Sequence, residues 1–164
     1  MKLSKKLQKV LDPIMGDSES LPNTIQIEPV LVRTNQMQFD AMDKIVNNNM
    51  VSIYHVDLND RGLSSALLST SFKSSLHSLL QLEINPAETL LEFNTMILAQ
   101  DISNLFVSCA VLQIDLNKQL INFSSAGHAG LWQKTTDGYQ SLHRQGVPLG
   151  IKTKPHIETW SQPI

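Results

Sequence analysis

Two helix-forming stretches stand side by side in the middle of the 164-residue chain, with strand-forming runs on both sides, and this order limits the fold more than any other feature. From Leu63 to Leu82, the residues Leu63, Ala66, Leu67, Phe72, Leu76, Leu79 and Leu80 recur at helical spacing while serines fill much of the rest. Such a narrow apolar stripe is what a helix lays on a sheet. A second helix is predicted from Asn85 to about Gln100, with Pro86 at its first position and Glu88 in its first turn. Upstream, Thr24 to Thr34, Gln36 to Val46 and Met50 to Asp57 have strand composition, the last two parted by the turn Asn47-Asn48-Asn49. Downstream, strands are predicted at Leu105 to Leu116, Gln119 to Ser125, Gly130 to Thr135, Tyr139 to His143 and Ile157 to Trp160, with Asn117-Lys118 and Asp137-Gly138 as hairpin turns. Strands, a helical pair and strands again predict an α+β sandwich in which helices cover an antiparallel sheet.

Composition excludes several function classes. Hydrophobic residues at 41% and charged residues at 17% rule out wholesale disorder and a fibrous class. A formal charge of -2 without a basic stripe argues against nucleic acid as a partner. The single cysteine, Cys109, has no partner for an internal disulfide, and no run approaches the roughly 20 apolar residues of a membrane helix. Lys5, Lys6, Gln8 and Lys9 break up the apolar start that a signal peptide needs, so a cytoplasmic protein is expected. Leu3, Leu7, Val10 and Leu11 form a short amphipathic stripe ending at Asp12-Pro13, followed by turn chemistry up to Pro22. Residues 1–22 are therefore expected to be a helical linker that continues an upstream helix or forms a homodimer, with the main domain in residues 23–164.

Three carboxylates carry the candidate chemistry. Asp40 and Asp43 sit on one strand-like run and Asp57 ends the next. A hairpin brings either of the first two near Asp57 only if its turn is asymmetric. Carboxylates gathered at a strand end suit hard divalent cations such as Mg²⁺ and Mn²⁺, although such residues also serve as solvated caps.

The order of the motifs resembles the SpoIIE-type branch of the metal-dependent protein phosphatase (PPM) superfamily, from about Val30 to Ile151. Members carry a GGDFYD stretch, where this chain has Gln38-Phe39-Asp40-Ala41-Met42-Asp43, and then DVSGHG, where it has Asp57-Leu58-Asn59-Asp60-Arg61-Gly62. Further landmarks are Phe93-Asn94, Phe106-Val107-Ser108, Ala126-Gly127-His128 and Gly146-Val147-Pro148-Leu149-Gly150. The resemblance implies an antiparallel β-sandwich flanked by helices, with Mg²⁺ or Mn²⁺ held by Asp40 and Asp57, the carbonyl of Leu58 as a further ligand, and Asp43 assisting from behind. It implies dephosphorylation of Ser or Thr on a bacterial regulatory protein, such as an anti-sigma-pathway protein.

The chain also departs from that pattern. Gln38, Phe39 and Asp60 replace glycines, Arg61 replaces a histidine, and the sequence stops at Ile164 without the TDG motif whose aspartate completes the family's metal site, so a C-terminally truncated domain is expected. At most one weakly held ion is then expected. A second reading follows, in which a catalytically silent adaptor domain of a response regulator binds a sigma factor or an anti-sigma-pathway protein. Among the histidines, His128 either touches substrate or shapes a structural turn, His55 is expected on the outward face of its strand, and His77 on the solvated side of the long helix. Cys109, in an apolar strand, reads as a small core residue.

Overall fold

The computed structural model describes residues 41–59, 63–142 and 146–164, with the backbone alone for residues 63–66. The expected N-terminal helix, the Thr24 to Thr34 strand, Asp40, Asp60, Arg61 and His143 lie outside these residues. The expected antiparallel sheet is present, with β1 (Ala41–Asn47), β2 (Met50–Leu58), β3 (Val107–Asp115), β4 (Leu120–Ala126) and β7 (Trp160–Pro163) in that spatial order. Between β2 and β3 the chain forms the helices α1 (Leu63–Leu80) and α2 (Pro86–Leu98). A separate hairpin joins β5 (Trp132–Thr135) to β6 (Gly138–Ser141).

Alternation along the strands explains where the core sits. Tyr54, Val56 and Leu58 of β2 and Val107, Cys109 and Val111 of β3 share one face, and on it pack Phe72, Leu76, Leu79 and Leu80 of α1 and Leu90, Phe93 and Ile97 of α2. Phe72 and Phe93 meet edge to face at 5.3 Å, which joins the two helices over the sheet. Among the described side chains of α1, Leu67 is exposed, Leu68 packs partly buried against the core, and Phe72 is the first to be fully buried. Cys109 is fully buried, and burial pushes its thiol pKa up, consistent with an inert core residue.

The start of α2 follows its sequence signals. Asn85 caps the helix by accepting from the Glu88 N–H at 3.0 Å, and its side chain also accepts from the Thr159 hydroxyl at 3.1 Å. Thr159 Oγ1 in turn accepts from the Ala87 N–H, and Ser124 Oγ donates to the Glu158 carbonyl. This network corrects the last predicted strand. The Glu158 carbonyl is taken by Ser124 of β4 and the Thr159 hydroxyl by the start of α2, and pairing with β4 starts only at Trp160. Replacing Asn85 by Ala should cost about 1–2 kcal/mol in urea unfolding, because it removes a cap and one of the three partners of the Thr159 hydroxyl together.

Candidate functional site

The β1–β2 hairpin sets the site. Asn47 pairs with Met50 across the two-residue turn Asn48-Asn49, and the ladder runs without a break to Ala41 opposite Val56. The turn is symmetric, because Asn48 adopts a positive φ of 50° and closes the hairpin in two residues, so the asymmetric turn set above as the condition for bringing this strand's aspartates near Asp57 is not needed to set the neighbours of Asp40 and Asp57 opposite each other. Ala41 and Val56 are the chain neighbours of Asp40 and Asp57, and Asp40 itself lies outside the described residues.

Asp57 stands exposed at the end of β2, on the face away from the helices, while its neighbour Leu58 is buried beneath them. One residue further on, the ladder is continued by a side chain. Asn59 donates from Nδ2 to the Asn104 carbonyl at 2.9 Å and accepts from the Phe106 N–H at 2.9 Å, and its own N–H reaches the Phe106 carbonyl at 3.3 Å. The exit of the chain from β2 is thereby tied to the loop that leads into β3.

Asp43 sits elsewhere. Opposite Tyr54 in the register, it faces the helices and is buried, with Lys73 Nζ at 2.7 Å and His77 Nε2 at 3.1 Å from the same carboxylate oxygen. Burial pushes its pKa up, but the hydrogen bond and charge of Lys73, the Lys44 N–H and His77 outweigh this and hold the carboxyl below its usual 3.8. His77, expected in solvent, is half-buried because α1 lies over β1, and its ring stands edge-on to Tyr54 at 5.8 Å. The Tyr54 hydroxyl, buried nearby without a hydrogen-bond partner among the described residues, has its pKa raised first by burial and then by the charge of Asp43.

His128 follows β4 and meets His55 of β2, ring nitrogen to ring nitrogen at 2.5 Å. His128 Nδ1 lies 2.8 Å from the Ala129 carbonyl, which can only accept, so Nδ1 donates there and Nε2 is turned to His55. Burial and the neighbouring His128 lower the pKa of His55, against the pull of Asp57 two residues along the strand. His55 thus lies on the outward face, as its alternation predicts, and shares that face with Asp57. The turn before His128 needs its glycine. Gly127 has a φ of +66°, and a Cβ there would come within 2.5 Å of Pro148 Cγ.

The remaining motif residues do structural work. Asn94, buried in α2, donates to the Lys152 carbonyl and accepts from the Gly150 N–H, and Leu149 pairs with Val107. A polar hollow of about 270 Å³ lined by Asn48, Glu83, Asp115 and Lys118 lies at the hairpin-turn end of the sheet, remote from Asp57. Among the described residues, no three His, Cys, Asp or Glu side chains converge as a metal cluster. Of the sequence-predicted site residues, Asp57 and Leu58 are adjacent at the site, Asp43 is turned to the helix face, and His128 reaches the outward face of β2. Sequence reading missed Asn59 and Lys73. Asn59 stood next to the predicted ligands, whereas nothing local marked Lys73.

Comparison with known proteins places this geometry. Residues 47–163 match the family model described as stage II sporulation protein E (SpoIIE). The phosphoserine phosphatase RsbP of Bacillus subtilis is 24% identical over 163 residues; the match takes in 92% of this chain and 38% of RsbP, so the chain spans well under half of that relative. The PP2C phosphatase domain of SpoIIE from Bacillus subtilis superposes with a TM-score of 0.66 at 16% identity, covering 77% of this chain and 38% of the other. RsbX, solved in complex with magnesium, superposes with a TM-score of 0.60 at 13% identity, covering 79% of this chain and 64% of RsbX.

Proposed function

Since the chain belongs to the SpoIIE family of PPM-type phosphatase domains, we propose that it removes phosphate from a serine or threonine of a bacterial regulatory protein, using a divalent cation held at the end of β2. The observation that carries this reading is the register. It sets the neighbours of Asp40 and Asp57 opposite each other at one end of the sheet, beside a loop latched by Asn59. Asp57 and the Leu58 carbonyl are oxygen donors of the kind that Mg²⁺ and Mn²⁺ accept, and Asp40 is proposed as the second carboxylate. Asp43 does not fit as a ligand, since its carboxylate is committed to Lys73 and His77. A donor set this small suits one hydrated ion better than two, because neighbouring cations need more negative charge to offset them. Bound there, such an ion supplies Lewis acidity to a phosphoryl group and lowers the pKa of a coordinated water. His128 is proposed to fix the ring of His55 beside Asp57.

The likeness to RsbP, a phosphoserine phosphatase, supports a phosphoserine protein as substrate, and a regulatory protein of a sigma-factor pathway is the one proposed. No helix among the described residues is long and apolar enough to cross a membrane. Residues 1–22 are proposed as the linker, or homodimer element, that joins this domain to its regulator. The second reading, a silent adaptor that binds the regulatory protein or a sigma factor, is favoured by one observation, the burial of Asp43 in an ion pair. Turnover of a phosphoserine protein with Mn²⁺, set beside the same assay in EDTA, separates the two. Release of phosphate only with the metal supports the enzyme, and stable binding of the protein without release supports the adaptor.

A further inference from the structure

We infer that Asn59 is the positioning residue of the proposed metal-binding segment, coupling Asp57 and Leu58 to the loop 101–106 so that the two move as one piece. The inference rests on the reading of Asp57 and Leu58 as metal ligands given above. The β2–β3 ladder ends with Leu58 opposite Val107, and past this point the backbone contact from the Asn59 N–H to the Phe106 carbonyl lengthens to 3.3 Å. The Asn59 side chain takes over with two shorter bonds, one to the Asn104 carbonyl and one from the Phe106 N–H, each 2.9 Å. A carboxamide provides a donor and an acceptor side by side. An aspartate at this position has no donor for Asn104, and alanine has neither group.

The far side of the latch is shaped to receive it. Asn104 adopts a positive φ of 62°, a conformation asparagine tolerates better than most residues, and this turns the chain toward Phe106. The loop is anchored in turn, since Leu105 is buried in the core and Leu149 pairs with Val107 just beyond it. The latch therefore ties the exit of β2 to a fixed point of the fold. Groups that hold ligands in place govern metal affinity even though they never touch the ion.

The test uses Mn²⁺ as the probe and two readouts, Mn²⁺ binding and amide hydrogen exchange. Asn59→Ala should weaken Mn²⁺ binding by about tenfold and speed exchange of the Phe106 amide, with little change in the unfolding midpoint because the residue is exposed. Asn94→Ala, which removes a buried anchor of the 150–152 segment, is the control for a merely structural effect. It should lower the unfolding midpoint and leave Mn²⁺ affinity unchanged. Unaltered Mn²⁺ affinity in Asn59→Ala, or equal weakening in Asn94→Ala, would overturn the inference. If the parent chain shows no Mn²⁺ binding that Asp57→Asn reduces, the metal reading itself falls and this inference with it, whereas normal Asp57-dependent binding that ignores Asn59 sinks only the latter.

Discussion

Asp57→Asn is expected to reduce divalent-ion-dependent phosphate release by about a hundredfold or more while moving the unfolding midpoint by no more than about 2 °C. The two effects separate because Asp57 is exposed at the end of β2 while its neighbours Val56 and Leu58 carry the packing. Asparagine keeps the size and one oxygen of aspartate but loses the charge that a hard cation requires. The measurements are steady-state turnover of a phosphoserine peptide and of para-nitrophenyl phosphate with Mn²⁺, and a thermal melt of both proteins. Equal turnover in parent and variant would refute Asp57 as a ligand, and no turnover in the parent itself would favour the adaptor.

Asp43→Ala should destabilise the domain by about 2 kcal/mol at pH 7. Removing one partner of a fully buried ion pair costs roughly 3–5 kcal/mol. Lys73 keeps some access to water, with a side-chain exposure of 16%, and this lowers the expected cost. Acid should erase the part of this cost that comes from the charge, which Asp43→Asn isolates by keeping the side chain's size. The folded-state pKa of Asp43 lies below its unfolded value of 3.8, so its stabilisation is complete above that pH and is lost as pH falls below 3.8 through the folded value. Urea midpoints of the parent and Asp43→Asn should therefore converge in that window. A gap that stays constant from pH 7 down to pH 3 would mean that the carboxylate charge contributes nothing. Asp115 has its carboxyl lowered chiefly by the Lys118 N–H, so both proteins keep a shared acid dependence that the comparison subtracts.

The helical pair between strand blocks was legible because its signals are local: serines opposite leucines in α1, and Asn85-Pro86 with Glu88 at the start of α2. The family was legible from the order of six short motifs, and its model matches residues 47–163. The position of Asp43 was not. Alternation places it on the same face as Ile45, but the decision between a metal and Lys73 depends on how α1 crosses β1, which no spacing along the chain reveals. The same limit hid the meeting of His55 and His128, 73 residues apart, and the late start of strand pairing at Trp160, where the distant Ser124 hydroxyl takes the Glu158 carbonyl.

The ties on α2 also bear on how the chain folds during synthesis. Asn85 and Asn94 hold the helix to Thr159, Gly150 and Lys152, across separations of 56 to 74 residues, and the segment they hold has only one four-residue strand of its own. Closing loops of that length precedes any gain from the contacts, so these ties form late. Until residues 150–163 have left the ribosome, the amide of Asn94 lacks the partners it has in the fold and β4 lacks β7. A nascent domain at that stage presents an unsatisfied polar group and an open strand edge together, a species suited to chaperone capture and prone to self-association.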